Sequence, residues 1–228
     1  MVKFNVTIAS PSPLIALGSL IFNGTSIWVN SVGVNQSVPY TVYLDSDEFG
    51  AVHTPSNDLL YHAGNLDLND QHTVTVRPAR LLESVIVETD PGDNYAITIS
   101  LHDGQRFEQD GFVTTGQWST DSCLGEGRIA GTCYVSEGTG SSISYTFLGD
   151  AITLWGAVED HDSLYQVSMD GVRPISFAAS NVTTPRPITV LAHYSNLGLD
   201  YHTIKLTSKP SDGRSRVEVD YAQVYTKF

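Results

Sequence analysis

The apolar and polar residues of this chain alternate with a period of two. Tyr165, Val167 and Met169 are separated by single polar residues, and an Asp-Gly pair follows them. Such alternation is typical of a strand with one buried face, and Asp-Gly favours a tight turn. No long segment carries apolar residues at helical spacing. The pattern therefore predicts an all-β fold built from antiparallel β-sandwiches.

Five short blocks of sequence recur in the same order, which indicates an internal duplication. The first reads Phe-x-Gly-x-x-Ile and the second Tyr-x-Val-x-x-Asp, and blocks with His-x-x-Asn, His-Thr and a Val-rich end follow. The blocks span residues 22–29, 40–45, 61–66, 72–76 and 85–88, and again 147–154, 165–170, 192–197, 202–206 and 217–220. We therefore expect two tandem antiparallel β-sandwich units, in which Glu88 corresponds to Asp220.

The boundary between the two units is expected near residues 91–94, which read Pro-Gly-Asp-Asn. It divides the chain into a first unit of residues 1–93 and a second unit of residues 94–228. Only 21 residues precede Phe22, whereas 58 lie between Glu88 and Phe147, so the first unit is expected to be shortened at its N-terminal end. The boundary holds no long flexible linker, and the units should pack closely.

The net charge of −13 makes nucleic acid an unexpected partner, because an acidic surface repels phosphate backbones. No stretch is long and apolar enough to span a bilayer. Residues 14–22 faintly resemble a signal peptide, but Phe22 opens a repeated block, so we expect no classical leader. We expect an extracellular or a cytoplasmic location. Four N-x-Ser/Thr triplets would be glycosylated only on secretion, at Asn5, Asn23, Asn35 and Asn181.

The two cysteines, Cys123 and Cys133, flank a glycine-rich segment that suits a hairpin loop. A disulfide bond closing that loop is geometrically feasible. Two isolated thiols do not indicate a metal site. The sequence leaves open whether the cysteines are bonded and whether the chain forms a homo-oligomer.

The repeated blocks resemble those of the galactose-binding-like β-jelly-roll family of carbohydrate-binding proteins. Two copies in tandem without a catalytic domain look like mushroom lectins of the oyster-mushroom type. This resemblance implies a two-sheet jelly-roll fold in each unit and fungal surface or lectin relatives. It also implies recognition of galactose or N-acetylgalactosamine by loops at one end, often with a bound calcium ion. The shared positions are mostly framework.

An acidic loop directly before Tyr165 is the first candidate sugar site. Its residues Glu159, Asp160, His161 and Asp162 offer oxygens to calcium and acceptors to sugar hydroxyl groups. The corresponding stretch of the first unit is uncharged, so the second unit is the expected better binder. The alternative is an ordinary solvated turn.

The His-x-x-Asn block is the second candidate sugar site, since an aromatic ring there lies beside hydrogen-bonding groups. The second copy offers His193, Tyr194 and Asn196, and the first copy offers Tyr61, His62 and Asn65. A capped turn is the alternative. His72 and His202 begin a further block, where we expect a structural hydrogen bond across a loop, with ligand binding as the alternative.

Tryptophan residues could add stacking platforms for a sugar. Trp155 is the preferred one because it ends a predicted strand close to the acidic loop, and Trp28 and Trp118 are the others. A tryptophan in a small sandwich is more often a core residue.

Carboxylates near the expected ends of the units are candidate calcium ligands. They are Glu88, Asp90, Asp103 and Asp220, with surface charge as the alternative role. No signature of a serine hydrolase, a zinc protease or a P-loop is present, so no enzyme is expected. The sequence thus favours a calcium-assisted, non-catalytic lectin that binds galactose-type glycans. A cell-wall or adhesion ectodomain of a fungal surface protein, and a glycosidase, remain alternatives.

Overall fold

The structure is a computed structural model that describes most of the chain. The described residues are 3–10, 12–15, 17–33, 37–53, 58–90, 95–101, 111–122, 132–136, 138–158, 164–178, 188–209 and 216–227. The acidic-loop residues Glu159, Asp160, His161 and Asp162 lie outside them, as do Asp103, Cys123 and the expected unit boundary at 91–94. Cys133 is disulfide-bonded. No helix in the described ranges is long and apolar enough to cross a membrane.

The described residues of the first unit form eight strands and one short 3-10 turn at Ala79–Leu81. The strands are β1 (Phe4–Ala9), β2 (Ser19–Phe22), β3 (Ser26–Ser31), β4 (Val38–Leu44), β5 (Asp47–His53), β6 (Leu59–Gly64), β7 (His72–Arg77) and β8 (Leu82–Thr89). They form two antiparallel sheets with the orders β1-β8-β3-β6 and β2-β7-β4-β5. The alternating burial of β1 and β7 shows the period that the sequence predicts.

The second unit contains the remaining strands of the described chain. They are β9 (Tyr95–Leu101), β10 (Phe112–Thr115), β11 (Trp118–Ser122), β12 (Thr132–Ser136), β13 (Ser142–Gly149), β14 (Ala151–Val158), β15 (Leu164–Met169), β16 (Ile175–Ala178), β17 (Thr189–Tyr194), β18 (Asp200–Ser208) and β19 (Val217–Lys227). One antiparallel sheet has the order β10-β13-β18-β15-β16, and the other has the order β11-β12-β19-β14-β17 with β9 also paired to β19. The predicted all-β class with antiparallel β-sandwich units is confirmed.

Two apolar cores lie inside the two pairs of sheets. The first contains Ile27, Val29 and Val85, and the second contains Ile152, Leu154 and Ile204. Each fully buried aliphatic side chain stabilises the fold by ~1.5–3 kcal/mol. Because strand residues alternate between faces, the local pattern is enough to select which residues enter a core.

The same side-chain contacts occur at corresponding positions of the two units. The Tyr40 hydroxyl donates to the Leu60 carbonyl at 2.7 Å, and the Tyr165 hydroxyl donates to the Leu191 carbonyl at 2.8 Å. Each bond joins a strand of one sheet to an edge strand of the other. The two tyrosines therefore tie the sheets of each sandwich together at equivalent points.

His72 and His202 form the structural hydrogen bonds that the sequence suggests. His72 Nδ1 lies 2.9 Å from an Asp45 carboxylate oxygen, and its Nε2 lies 3.0 Å from the Asp67 carbonyl oxygen. His202 Nδ1 lies 2.7 Å from an Asp170 carboxylate oxygen, and its Nε2 lies 3.1 Å from the Gly198 carbonyl oxygen. Both ring nitrogens are thus used inside the protein, and neither histidine has one left for a ligand.

The expected correspondence between Glu88 and Asp220 is wrong by five residues. The Thr25 amide donates to the Glu88 carbonyl, and the equivalent Asp150 amide donates to the Tyr225 carbonyl, both at 2.8 Å. Tyr225 is therefore the structural partner of Glu88. The error arises because β19 is 11 residues long and β8 only 8. The extra first part of β19 pairs with β12, a strand of the longer second unit.

Candidate functional site

One side of the sheet β1-β8-β3-β6 is open to solvent, and we call it the open face. Its residues alternate with the core residues along each strand. Directly paired residues of neighbouring strands lie on the same side of a sheet, so the face can be assembled from the strand register. The open face includes Asn5, Thr7, Trp28, Asn30, His62, Ser84, Ile86 and Glu88.

Trp28 and His62 form an aromatic pair on the open face, with Trp28 on β3 and His62 on the edge strand β6. Their ring centroids are 4.8 Å apart and their planes differ by 22°, so the rings are stacked. Trp28 is also paired with Ile86 on its other side. His62 is exposed and Trp28 is half-buried. The pair therefore presents aromatic surface to solvent on this face of the sheet.

A carboxylate lies on one side of this aromatic pair. Glu88 Oε1 accepts hydrogen bonds from Lys3 Nζ at 2.7 Å, Ser26 Oγ at 2.9 Å and Thr25 Oγ1 at 3.1 Å. Burial acts to raise the pKa of Glu88, but these hydrogen bonds outweigh it and lower the pKa below its usual value. All three donors use Oε1, so Oε2 of the ionised group receives no hydrogen bond from the described residues and can accept one from a ligand.

An amide lies on the opposite side of the aromatic pair. Asn30 Nδ2 donates to Ser84 Oγ at 3.2 Å, which holds the side chain along the sheet. Rows of one face are two residues apart along a strand, about 7 Å, so Glu88 and Asn30 flank Trp28 at comparable distances. The arrangement is an aromatic platform between two polar groups.

The equivalent side of the second unit is covered. Ala151, Val190 and Tyr225 of the sheet containing β14, β17 and β19 belong to the core cluster of the first unit. Phe4 stacks on Tyr225 with ring centroids 3.9 Å apart, and Ser12 Oγ donates to the Val190 carbonyl at 2.8 Å. The expected close packing of the units therefore buries this side.

Trp155 lies in that covered region and not at a sugar platform open to solvent. Its ring stacks on Tyr221 at 5.7 Å, and it packs against the core cluster of the first unit. Trp118 packs against the core cluster of the second unit. The alternative role of a core tryptophan fits both residues.

His62 and His193 occupy equivalent strand positions but different environments. Trp28 is the cross-strand neighbour of His62, and Thr153 is that of His193. His193 Nδ1 lies 3.0 Å from Thr153 Oγ1, and its Nε2 is buried without a hydrogen-bond partner among the described residues. His193 is thus half-buried with its Nε2 shielded from solvent, whereas His62 is exposed on the open face.

The other residues of the His-x-x-Asn block mainly shape turns and cores. Asn65 and Asn196 have φ angles of 60° and 58°, the left-handed conformation that asparagine tolerates in a turn. Tyr61 is half-buried against the first core and contacts Phe49 at 5.4 Å. Tyr194 packs against the second core, and burial raises its pKa. The capped-turn alternative therefore accounts for both asparagines.

The described candidate calcium ligands do not converge on one site. Glu88 is held by Lys3 and two hydroxyl groups, and Asp220 is fully buried within β19 of the other unit. Among the residues described, no three acidic, histidine or cysteine side chains form a group that could hold a metal ion. Asp103 lies outside the described residues, so calcium binding by this set stays a prediction.

The sequence pattern favoured Trp155 over Trp28 as the stacking platform. It also placed Glu88 among the candidate calcium ligands and not on the open face. Ile27 and Val29 are apolar on both sides of Trp28, and Asn30 follows. An apolar-Trp-apolar-polar run places the tryptophan in the outward phase of the strand, and this signal could have identified it. The partners across the face come from β6 and β8, which only the strand register brings together.

No protein-family model and no curated protein matches the sequence. Solved structures with a similar fold include a family 35 carbohydrate-binding module from Clostridium thermocellum, at 13% identity and a TM-score of 0.40, covering 58% of this chain and 99% of that chain. The CBM36-1 domain of a multidomain xylanase from the hindgut metagenome of Trinervitermes trinervoides is similar at 17% identity and a TM-score of 0.36. The match covers 57% of this chain and 96% of that chain.

A family two carbohydrate esterase from Cellvibrio japonicus is similar at 12% identity and a TM-score of 0.42, covering 59% of this chain and 34% of that chain. The matched part thus spans about a third of the esterase. The structural neighbours thus include carbohydrate-binding modules and a carbohydrate esterase. At these scores we base the fold on the strand pairing of the chain itself, and function on the site.

Proposed function

We propose that the protein is a non-catalytic carbohydrate-binding protein whose glycan lies on the open face of the first unit. The observation that carries this proposal is the solvent-facing Trp28–His62 stack between Glu88 and Asn30. It combines exposed aromatic surface with hydrogen-bonding groups on both sides.

A sugar ring needs both of these features. Its C–H face is apolar and packs on an aromatic ring, while its hydroxyl groups radiate in the plane of the ring and need donors and acceptors. Glu88 Oε2 and the Asn30 side-chain carbonyl supply acceptors beside Trp28. The charge of −13 favours neutral sugars over anionic ones, because negative charges repel each other.

Galactose and N-acetylgalactosamine are the proposed sugars, on the strength of the sequence resemblance. The histidine on the face is a candidate donor or acceptor for an axial hydroxyl group. The proposed contacts at the open face involve protein atoms alone. Calcium-assisted binding elsewhere stays a proposal for the acidic loop of residues 159–162.

A glycan array tests the proposal with the full chain, with and without calcium. We expect signal for galactose-terminated glycans, and we expect Trp28→Ala to weaken binding by at least ~10-fold, because aromatic anchors at the centre of an interface contribute ~2 kcal/mol or more. Tyr201→Ala is the matched control, since this tyrosine is 72% exposed and lies on β18, outside the open face. Equal loss in both variants, or no glycan signal, would contradict the proposal.

A glycosidase and a cell-wall or adhesion ectodomain are the remaining alternatives, and each predicts a different result. Release of product from aryl-galactosides or β-glucans would identify a glycosidase. Glycans on the natural protein at its N-x-Ser/Thr triplets would favour a cell-wall or adhesion ectodomain.

A further inference from the structure

Sheet edges of both units meet at a cavity of about 230 Å³. In the described part of the chain, β2 pairs only with β7 and β16 pairs only with β15, so each of these strands ends its sheet. Residues 19–22, which are the whole of β2, and residues 175–178, which are the whole of β16, line the cavity. No residue of the open face named above lines it. The cavity is therefore separate from the proposed glycan site.

The run of consecutive lining residues shows which part of each strand borders the cavity. Neighbouring side chains of a strand point to opposite sides of its sheet, so a cavity above one side is lined by alternate residues. Here every residue of β2 and of β16 takes part in the lining. The cavity thus lies along the backbone edges of the two strands.

The backbone groups of Ser176 and Ala178 point out of the edge formed by β16. Successive residues of an antiparallel strand direct their N–H and C=O groups to opposite sides. The Leu164 carbonyl accepts a hydrogen bond from the residue that follows β18, which directs Leu164 toward β18 and the next residue, Tyr165, toward β16. Tyr165 pairs with Phe177, so Phe177 is directed to β15. Its neighbours Ser176 and Ala178 therefore face away from β15.

The same alternation applies to β2. The Val76 amide of β7 donates at 2.7 Å to the carbonyl of the residue that precedes β2, which directs Val76 and, two residues earlier, Val74 toward β2. Val74 pairs with Leu20, so the backbone groups of Ser19 and Ile21 face away from β7. Both edges at the cavity thus carry backbone donors and acceptors that no other described strand uses.

These two edges lack the features that usually block strand addition. Charged residues and proline are such features, and neither β2 (Ser-Leu-Ile-Phe) nor β16 (Ile-Ser-Phe-Ala) contains one. The edge strand β5, in contrast, begins with Asp47 and Glu48. The described lining carries no charged side chain, and its aliphatic residues Leu17, Ile21 and Ile175 are 82%, 48% and 38% exposed. The edges are therefore open to an added strand with apolar side chains.

Contacts between the units hold the two edges in place. Ser195 Oγ donates to the Asn23 carbonyl at 2.8 Å, and Asn23 directly follows β2. Phe177 of β16 packs against the core clusters of both units. An added strand does not have to order these edges, which lowers the entropic cost of binding.

We propose that the cavity binds an extended peptide segment of another protein, which adds as a strand along β16. Main-chain hydrogen bonds to Ser176 and Ala178 supply affinity, and apolar side chains at alternate positions contact the aliphatic lining. The four residues of β16 span about 13 Å, so a segment of four or five residues is long enough. The net charge of −13 disfavours an acidic peptide, and it also opposes pairing with a second copy of this chain.

Titration of the ¹⁵N-labelled full chain with a capped pentapeptide, Ser-Val-Thr-Val-Ser, tests the proposal. We expect saturable shifts of the amide resonances of Ser176 and Ala178, and slower exchange of these two amide hydrogens with solvent. The same peptide N-methylated at its three central residues is the matched control. It keeps the side chains but loses amide donors on both of its edges, so it should bind at least ~10-fold more weakly.

Ala178→Pro tests the edge itself. It removes an amide donor that faces away from β15, and proline is tolerated at such a position of an edge strand. Thr114→Pro is the control on β10, the opposite edge of the same sheet. The carbonyl of the residue before β13 accepts from the Ser208 amide of β18, so Ser142 is directed to β10; Ser142 pairs with Thr115, which turns the Thr114 amide to the free edge. We expect Ala178→Pro to weaken peptide binding about 10-fold and Thr114→Pro to leave it unchanged.

Four results would overturn the proposal. They are the absence of saturable shifts at Ser176 and Ala178, equal binding of the N-methylated peptide, unchanged affinity in a folded Ala178→Pro variant, and equal shifts at Thr114. Sedimentation of the protein alone gives a fifth: self-association that Ala178→Pro abolishes would make a second copy the occupant and not a peptide of another protein.

Discussion

The buried imidazole of His193 should make the stability of this protein depend on pH in a defined direction. Burial lowers its pKa from 6.5 to about 4 in the folded state, whereas the unfolded chain has the ordinary value. A proton that binds the unfolded chain but not the folded one favours unfolding. This contribution is therefore fully favourable to folding above pH 6.5 and is lost as the pH falls toward 4.

The magnitude follows from the difference between the two pKa values. Each pKa unit corresponds to ~1.4 kcal/mol, so the full effect of His193 is about 3 kcal/mol. Between pH 7 and pH 5 the unfolded imidazole becomes almost fully protonated while the folded one stays mostly neutral. About 2 kcal/mol of the free energy of unfolding should be lost over this range through His193 alone.

Urea unfolding of the wild type and of His193→Gln at pH 5, 6, 7 and 8 measures this term. The difference in free energy of unfolding between the two proteins removes the contribution of all other titrating groups. We expect the variant to gain about 2 kcal/mol on the wild type between pH 7 and pH 5. A difference that stays constant with pH would refute the claim that His193 is buried and neutral.

His202→Gln provides a control with the opposite sign. Although burial acts to lower it, the hydrogen bonds with Asp170 and with the Gly198 carbonyl raise the pKa of His202. The stability that His202 contributes is fully present below pH 6.5 and is lost as the pH rises through its folded pKa. The advantage of the wild type over His202→Gln should therefore shrink from pH 6 to pH 8.

Two further predictions concern stability and are measured by the same urea titrations. Tyr165→Phe should lower the free energy of unfolding by ~1–3 kcal/mol, because it leaves the buried Leu191 carbonyl without the hydroxyl donor. Tyr40→Phe should lower it by a similar amount. A loss in only one of the two variants would contradict their equivalent roles. Gly156→Ala should lower the free energy of unfolding by ~1–3 kcal/mol or more, because a Cβ atom at this position overlaps the Glu218 carbonyl oxygen. Gly50→Ala should be tolerated, since a Cβ atom added there lies 3.9 Å from the nearest atom. Similar losses in the two variants would refute this distinction.

Local sequence pattern was sufficient for the fold class and for many core positions. Alternation with a period of two depends on neighbouring residues of one strand, so Tyr165 and Val167 could be assigned to the core before any strand pairing was known. The structural roles of His72 and His202 were also predictable, because each begins a repeated block. The correspondence of Glu88 with Asp220 failed, since two valine-rich strands of different length can be aligned in several registers.

The sequence by itself determined that Trp28 and Trp155 lie in strands, but only the tertiary structure decided which of them meets solvent. Trp28 lies on the open face beside His62, Ile86 and Glu88, whereas Trp155 lies where the first unit covers the second. In this covered region His193 is half-buried and its Nε2 is shielded from solvent. Exposure of a sheet face depends on what packs against it, and those partners are distant in sequence. The apolar and polar pattern of one unit therefore does not show which segments of the other unit pack against its sheets.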